Sequence, residues 1–361
     1  MKDISGTALL YSGGLLDDIH AKTAHGLLRY SDRFQILGLI DPKFYGSMSA
    51  DHVEHCKDNL EIYKDLSTAL EELTQKPKYL VMGVAFGGGM LPEEHRSIVK
   101  DALRRGMDVV CGLHQLLSED PELAELAVKN DVNIHDIRKP KKAEELRFWN
   151  GDIKKIEIPK VAVLGTDCAT GKRTMCQFLV QALRESGIKT EVIFTGQTGF
   201  LQGFKHGLIL DSTLNDFVSG ELEKAIIDCA QEEQPDLMLI EGQSSLRNPS
   251  GPCGSEILLS GDVDAVVLAH PAERKYFDNC EAAEAVIPDL QDEIELIGHY
   301  GKEVIGIAIN ASESFDTSGL KEEFAIPVLN PIFEDIRPLV DKIKSILMCI
   351  VSLSNCSQQM Y

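Results

Sequence analysis

The residues of this chain with the most specific potential chemistry lie between positions 165 and 174. A glycine-rich turn follows the apolar run 161–164 and ends in Gly171-Lys172. Successive backbone N–H groups in such a turn, together with the N-terminus of a following helix, bind phosphate. The predicted cofactor-binding residues are Gly165, Thr166, Asp167, Cys168, Ala169, Thr170, Gly171, Lys172, Arg173 and Thr174.

This loop departs from the common phosphate-binding pattern in two places. Five residues rather than four separate Gly165 from Gly171. Arg173 also stands where a Ser or Thr usually follows the lysine and ligates Mg²⁺. Because a guanidinium donates hydrogen bonds and cannot ligate a cation, we predict no metal ligand here. The sequence therefore predicts a loop that holds a diphosphate without cleaving it, and an ordinary tight turn is the alternative.

Two titratable residues end predicted strands, where ligands bind in open parallel sheets. Glu241 ends the strand 236–241, and His270 follows the strand 263–269. A carboxylate or a histidine of near-neutral pKa at such a place can act as a general base. We therefore predict Glu241 and His270 as catalytic residues, with a solvated strand end and a structural histidine as the alternatives.

Polar residues that follow two of the predicted strands are candidates for substrate binding. Glycines on either side of Gln197 and Thr198 allow a close approach of the backbone to a ligand. A simple turn, or a helix cap for Asp211 and Asp216, is the alternative. Cys253 is disfavoured as a nucleophile because no histidine has a fixed relation to it. The predicted substrate-binding residues are Gln197, Thr198, Asp211, Gln243, Ser244 and Ser245.

Alternating strand and helix patterns predict an α/β fold with parallel sheets in two domains, 1–150 and 151–361. The Lys-, Glu- and Pro-rich stretch from Arg138 to Lys155 is predicted as the linker, and the last ten residues as frayed. The predicted strands are 7–11, 35–40, 79–86, 107–111, 132–137, 160–165, 189–195, 236–241, 263–269, 303–309 and 326–329. The predicted helices are 21–30, 92–105, 121–129, 172–186, 220–232, 278–288 and 335–351.

Composition restricts the partners and the compartment. The chain has 361 residues and a formal net charge of −21, which argues against a nucleic-acid or anionic-membrane partner. Its nine cysteines form no Cys-x-x-Cys pair, so a zinc site is disfavoured and a reducing compartment is indicated. The sequence shows no secretion signal and no membrane span. We therefore expect a cytoplasmic protein with a small-molecule substrate, and we expect it to form a homo-oligomer.

Several segments together resemble a known family. The phosphate-binding loop and Glu241-Gly242 are similar to the P-loop branch that includes dethiobiotin synthetase. Over about residues 5–330, the chain resembles a bacterial and archaeal family long described as of unknown function, with a Rossmann-like N-terminal domain and a P-loop C-terminal domain. The matching segments are Ala24-His25-Gly26-Leu27-Leu28-Arg29, Gly112-Leu113-His114, Asp136-Ile137-Arg138, Gly165–Thr174, Thr195–Gly199 and Glu241–Ser245.

The resemblance implies a function that the residues alone leave open. Some members of that family are D-glutamate N-acetyltransferases, which use acetyl-coenzyme A. The diphosphate of coenzyme A is not cleaved in acyl transfer, which agrees with the loop described above. One alternative is an ATP- and Mg²⁺-dependent synthetase or NTPase, in which Thr174 or Asp167 helps to hold the metal. A second alternative is a nucleotide-binding sensor without catalysis.

Overall fold

The computed structural model describes residues 4–358, and it describes side chains as far as residue 349. The strands are Gly6–Tyr11 (β1), Phe34–Ile40 (β2), Ile62–Tyr63 (β3), Tyr79–Met82 (β4), Asp108–Cys111 (β5), Ile134–Asp136 (β6), Lys160–Gly165 (β7), Thr190–Phe194 (β8), His206–Gly207 (β9), Leu237–Glu241 (β10), Ala265–His270 (β11), Glu303–Ile309 (β12) and Val328–Leu329 (β13). The helices are Lys22–Arg29 (α1), Leu66–Glu72 (α2), Glu93–Arg104 (α3), Pro121–Lys129 (α4), Lys172–Glu185 (α5), Gln197–Gln202 (α6), Val218–Glu232 (α7), Ser255–Leu259 (α8), Leu290–His299 (α9), Ser318–Glu323 (α10) and Arg337–Gln358 (α11).

The chain divides into two compact units. Unit 1 comprises Met1–Pro140 and Gln197–Gly203, and unit 2 comprises Lys141–Gly196 and Phe204–Tyr361. Each unit has one sheet, and the paired strands of both sheets run parallel. The predicted α/β class with two parallel sheets is confirmed.

Unit 1 is built on a six-stranded sheet of order β3-β2-β1-β4-β5-β6. The central strands are continuous apolar runs, as strands covered on both faces require. Leu9 of β1 and Leu80 of β4 are fully buried in a core that also receives Val99 and Leu103 from α3. Helix α6 belongs to this unit, where Nε2 of Gln202 donates to the carbonyl of Gly26 over 2.7 Å.

Unit 2 is built on a seven-stranded sheet of order β13-β12-β11-β7-β10-β8-β9. Strand β7 is buried throughout and lies between β11 and β10. The loop after β7 therefore opens at the middle of the carboxyl edge of the sheet, next to the residues that end β10 and β11. The core of this unit includes Ile240 of β10, Leu268 of β11 and Ile226 of α7.

The stretch 141–155, predicted as a linker, is instead packed within unit 2. The buried carboxylates of Glu221 and Glu223 on α7 accept hydrogen bonds from it. Their donors are Nζ of Lys141 at 2.6 Å, the amides of Arg147 at 3.2 Å and Asn150 at 3.0 Å, and the amide of Ile153 at 3.2 Å. Gly220 allows the close approach, because a Cβ there would lie 2.0 Å from the carbonyl oxygen of Arg147.

Two other predictions of local structure need correction, one at 278–288 and one at the C-terminus. The predicted helix 278–288 is wrong: the segment contains only a 3-10 turn at Glu281–Ala283, and α9 begins after it. Asn279 and Glu284 have positive φ there, and Pro288 follows, so a continuous helix is interrupted. The simple turn that was the alternative at Gln197 is not found, because this segment forms the helix α6.

Helix α11 extends to Gln358, so most of the ten residues predicted as frayed are helical, and 359–361 lie outside the described residues. Among the described residues, none of the helices combines the length and the apolar character needed to cross a bilayer. The expected cytoplasmic location and self-association stay predictions.

Candidate active site

The loop between β7 and α5 contains two residues with left-handed backbones and ends at the start of a helix. Ala169 and Gly171 have left-handed backbones, with φ of +52° and +88°, a conformation found in anion-binding concavities of successive N–H groups. Within residues 4–358, the amides of 168–171 donate no hydrogen bond to a protein acceptor. Helix α5 begins directly after Gly171 without a side-chain cap. The loop therefore has the geometry that an anion-binding loop requires.

Lys172 is fixed inside this loop. Its ammonium donates hydrogen bonds to the carbonyl oxygens of Asp167 at 2.6 Å and Ser244 at 2.8 Å. Burial lowers the pKa of the Lys172 ammonium below its usual value. Gly165 makes room for this arrangement, because a Cβ there would lie 2.5 Å from Oγ1 of Thr170 and 3.1 Å from Nζ of Lys172.

The side chain of Asp167 links the loop to residues outside it through hydrogen bonds. The residue is fully buried, and its Oδ1 accepts from Nδ2 of Asn248 at 2.6 Å. Its Oδ2 accepts from Nη2 of Arg274 and from the amide of Asp278, both at 2.7 Å. Because both oxygens are bonded to protein donors, this carboxylate anchors the loop to two other segments and is poorly suited to hold Mg²⁺.

Glu241 ends β10 beside the loop and is buried, with 6% of its surface exposed. Its Oε2 accepts from the amide of Thr195 at 3.1 Å, and Oγ1 of Thr195 donates to the carbonyl of Glu241 at 2.8 Å. Burial raises the pKa of the Glu241 carboxyl, while the nearby charges of Arg173 and Lys172 oppose that rise. The site thus places a desolvated carboxyl close to two cations.

The residues after Glu241 line the same region. Gly196 lies against Gln243, because a Cβ on this glycine would be 2.5 Å from Nε2 of Gln243. Ser244 has a φ of +42°, and its hydroxyl accepts from the Cys168 thiol at 3.5 Å. Ser245 is 2% exposed, and among the described residues no partner binds its hydroxyl. The structure therefore brings Ser244 to the loop and Gln243 to Gly196.

His270 ends β11 and lies beside the start of the loop. Its Nδ1 is 2.9 Å from Oγ1 of Thr166. Burial, with a contribution from the charge of Arg274, lowers the pKa of His270 to about 4. This value differs from the near-neutral pKa expected from the sequence, because the strand end is buried. At neutral pH the ring is uncharged and is a weak proton acceptor, which favours Glu241 as the base.

The remaining predicted residues belong to α5, to a turn after β9 and to unit 1. Thr174 is in the first turn of α5, and Asp211 is exposed in the turn Leu210–Ser212. Gln197 and Thr198 belong to unit 1, where Oγ1 of Thr198 is 3.0 Å from Oγ1 of Thr23.

The disfavoured nucleophile Cys253 donates its thiol hydrogen to Glu256 over 2.6 Å. Burial raises the pKa of this thiol. Both features keep the sulfur protonated, so it is a poor nucleophile.

Sequence reasoning missed three side chains that shape the loop: Asn248, Arg274 and Asn310. Arg274 follows His270 closely, and its charge was the only available signal. Asn248 and Asn310 follow strands β10 and β12, and no local pattern marks their contacts. Among the described residues, no group of three or more His, Cys, Asp or Glu side chains is arranged to hold a metal ion.

Comparison with known proteins assigns the family. The family profile described as "Domain of unknown function (DUF1611_C) P-loop domain" matches residues 147–340, more than half of the chain. The chain belongs to the DUF1611 family. The profile described as "Domain of unknown function (DUF1611_N) Rossmann-like domain" matches residues 42–140. The resemblance inferred from the sequence is confirmed, and so is the order of a Rossmann-like domain followed by a P-loop domain.

Relatives of this DUF1611 chain include curated proteins and a solved structure. A protein from Pseudoalteromonas sp. named D-glutamate N-acetyltransferase is 31% identical over 276 residues, which cover 73% of this chain and 80% of the relative. One of the same name from Tritonibacter scottomollicae is 29% identical over 282 residues, covering 74% and 82%. The crystal structure of a DUF1611 family protein from Anabaena variabilis has a TM-score of 0.82 and 28% identity, with 94% of this chain and 99% of that chain covered.

Proposed function

We propose that this protein is an amino-acid N-acetyltransferase that uses acetyl-coenzyme A and acts on D-glutamate or a closely related acidic amino acid. The names of the two curated relatives, which match over most of their length, support the reaction class and the acceptor. The loop geometry supports the donor, because coenzyme A carries a diphosphate that acyl transfer leaves intact. The amides of 168–171, which have no protein acceptor within residues 4–358, are the single observation on which the assignment of the donor depends.

The chemistry of the loop fits a diphosphate. Backbone amides and the N-terminus of α5 supply hydrogen-bond donors, and Lys172 and Arg173 supply two positive charges. Within a chain of net charge −21, this local positive potential is what an anionic ligand needs. A metal ion is then not needed to neutralise the diphosphate, so binding should persist in EDTA.

Glu241 is the residue that we assign as the general base. In the reaction, the amine nitrogen forms a bond to the thioester carbonyl carbon, and the carbon–sulfur bond breaks with release of the coenzyme A thiolate. The thiolate takes up the second proton that the nitrogen loses when the amide forms. The substrate ammonium must lose a proton first, and Glu241 would accept it. Burial raises the pKa of this carboxyl and so makes its ionised form a stronger base than an exposed carboxylate. His270, with a pKa of about 4, instead orients Thr166 through their hydrogen bond.

Mass-spectrometric detection of the product tests this proposal. Purified protein is incubated with acetyl-coenzyme A and each of a panel of D- and L-amino acids, in EDTA. We expect an N-acetylated amino acid and free coenzyme A in equal amounts, with D-glutamate the best acceptor. Absence of any acetylated product across the panel would contradict the proposal. Detection by mass is preferred to a thiol-reactive dye because the protein has nine cysteines of its own.

An ATP-dependent ligase or NTPase is the second candidate, since a loop lysine with a carboxylate at the end of a neighbouring strand also occurs in enzymes that cleave ATP. The same assay with ATP and Mg²⁺ in place of acetyl-coenzyme A separates the two. ADP that forms only with Mg²⁺ and an amino acid would select this candidate. Binding of either nucleotide without any product would instead select a sensor.

A further inference from the structure

Two side chains from outside the loop bind two successive carbonyls within it. Nη2 of Arg274 lies 2.6 Å from the carbonyl oxygen of Cys168. Nδ2 of Asn310 lies 3.1 Å from the carbonyl oxygen of Ala169. Arg274 follows β11, and Asn310 follows its neighbour β12 directly. The residues that follow two adjacent strands of unit 2 therefore each supply one hydrogen-bond donor to the loop.

The planar trans peptide group converts these contacts into a direction for the amides. The carbonyl of one residue and the N–H of the next point to opposite sides of the chain. The amide of Ala169 therefore points away from Arg274, and the amide of Thr170 points away from Asn310. Within residues 4–358, both amides lack a protein acceptor. Each side chain thus turns one of two consecutive donors away from itself and leaves it without a protein acceptor among the described residues.

The backbone of Ala169 needs such support. Its φ of +52° is unfavourable for a residue with a Cβ, and such conformations persist when surrounding contacts determine them. The Asn310 amide binds the carbonyl of this same residue, and Arg274 binds the carbonyl before it. Held on both of its peptide groups, Ala169 cannot relax to a right-handed backbone without breaking at least one of these bonds.

We propose that Arg274 and Asn310 are positioning residues that aim the amides of Ala169 and Thr170 at the diphosphate of the bound acyl donor. The inference rests on the proposed function and extends it, because it assigns the affinity for the donor to residues that need not touch the donor. Arg274 has a second partner, Oδ2 of Asp167, so its loss also disturbs the anchoring of the loop. Asn310 is exposed, so its replacement is the cleaner test.

Calorimetric titration of coenzyme A in EDTA tests the inference. The proteins compared are wild type, Asn310→Ala, Asn310→Asp, Arg274→Lys and Arg274→Gln. Because Asn310→Ala loses one hydrogen bond, we expect its dissociation constant for coenzyme A to be about fivefold larger than that of wild type. Asn310→Asp should weaken binding further, since the carboxylate cannot donate and repels the anion. Arg274→Lys keeps a charged donor and should stay within about threefold of wild type, whereas Arg274→Gln should lose about tenfold. Asn215→Ala, an exposed asparagine of unit 2, serves as the matched control.

Steady-state kinetics separate positioning from a general loss of structure. Positioning predicts that Asn310→Ala raises KM for acetyl-coenzyme A and leaves KM for the amino acid and kcat close to wild type. A merely structural role predicts a lower melting temperature with an unchanged dissociation constant. If Arg274→Gln does not fold, the Asn310 variants and Arg274→Lys still decide the question.

Two negative results have different meanings. Wild-type protein that does not bind coenzyme A overturns the proposed donor and this inference with it. Wild-type protein that binds coenzyme A, with the two Asn310 variants binding as tightly as wild type, overturns the inference and leaves the proposed function standing.

Discussion

The loop after β1 and the loop after β7 have similar backbone features, but their carboxylates have different hydrogen-bond partners. Each follows a central parallel strand and contains glycines with positive φ: Gly13 and Gly14 in unit 1, and Gly171 in unit 2. In unit 1, the buried carboxylate of Asp41, which follows β2, accepts hydrogen bonds from the β1 loop and from the residues directly after itself. Its donors are the hydroxyl of Ser12 at 2.6 Å and the amides of Gly14 at 3.1 Å, Leu16 at 3.3 Å, Lys43 at 2.9 Å and Phe44 at 3.3 Å.

In unit 2, the carboxylate within the β7 loop and the carboxylate at the end of the neighbouring strand β10 both accept from donors outside residues 168–171. The two carboxylate oxygens of Asp167 accept hydrogen bonds from the side chains of Asn248 and Arg274 and from the amide of Asp278. Glu241, at the end of the neighbouring strand, binds the amide of Thr195. An internal carboxylate therefore accepts from two amides of the β1 loop, whereas the amides of 168–171 have no protein acceptor among the described residues. This difference is what makes the β7 loop, and not the β1 loop, the candidate for binding an external anion.

Removal of the Lys172 ammonium should have the largest effect on coenzyme A binding by the β7 loop. We expect Lys172→Ala to weaken coenzyme A binding about 1000-fold, because a desolvated charge that pairs with an anion contributes about 4 kcal/mol. Calorimetric titration measures the dissociation constant. Lys142→Ala, which removes an exposed lysine, is the control and should bind coenzyme A as wild type does. A Lys172→Ala variant that keeps wild-type affinity would show that the β7 loop is not the binding site.

Glu241→Gln should separate catalysis from binding. The loss of a general base lowers kcat by about 100-fold or more. The dissociation constant of coenzyme A should change little, since the amide preserves the shape of the side chain. A buried carboxyl with a raised pKa is costly to ionise, so the variant should unfold at the same temperature as wild type or a higher one at pH 7.5. An unchanged kcat would remove Glu241 from the reaction.

Asp41→Asn should affect stability and not binding. The amide loses the charge that strengthens several hydrogen bonds to the β1 loop, so we expect unfolding to become easier by about 2 kcal/mol. Chemical denaturation measures this change, and coenzyme A titration supplies the contrast. If Asp41→Asn weakened coenzyme A binding at a temperature where the protein is fully folded, the assignment of the two loops to separate roles would fail.

His270 predicts a smaller, pH-dependent effect. Its folded-state pKa of about 4 lies below the unfolded value of 6.5, so the unfolded chain binds more protons between these values. Stability from this group is therefore present above pH 6.5 and decreases as the pH falls toward 4. Relative to His270→Gln, wild type should lose about 1 kcal/mol between pH 8 and pH 6. Parallel curves for the two proteins over this range would contradict the burial of an uncharged ring.

Much of the fold was predictable because its signals are local. The strand predicted at 160–165 is β7, the helix at 121–129 is α4, and the helix at 172–186 is α5 to within one residue. Apolar runs bounded by glycine or proline specify such elements without reference to distant residues. The segment 278–288 misled because its composition favours a helix, while positive φ at Asn279 and Glu284 and the hairpin-like pairing of Tyr276 with Val286 oppose one.

The candidate site was predictable only in part, for a related reason. The loop from Gly165 to Thr174, Glu241 and His270 occur at strand ends, so a parallel sheet brings them together. The pKa of His270 and the hydrogen bonds of Asp167 depend on burial and on partners about 80 to 110 residues away in the chain, and sequence spacing carries no record of these.

By itself, the sequence determined the alternation of strands and helices, the parallel sheets, and the presence of a glycine-rich turn with two cations at the end of a buried strand. Local periodicity and backbone preferences are enough for these features. Only the tertiary structure decided that Asp41 accepts from an amide of the β1 loop, while Asp167 binds Arg274 outside the β7 loop. It also decided that Arg274 and Asn310 bind carbonyls of the β7 loop. The placement of Gln197–Gly203 in the first unit is a third such outcome. These outcomes depend on contacts between residues far apart in the chain, which form only when the sheets assemble.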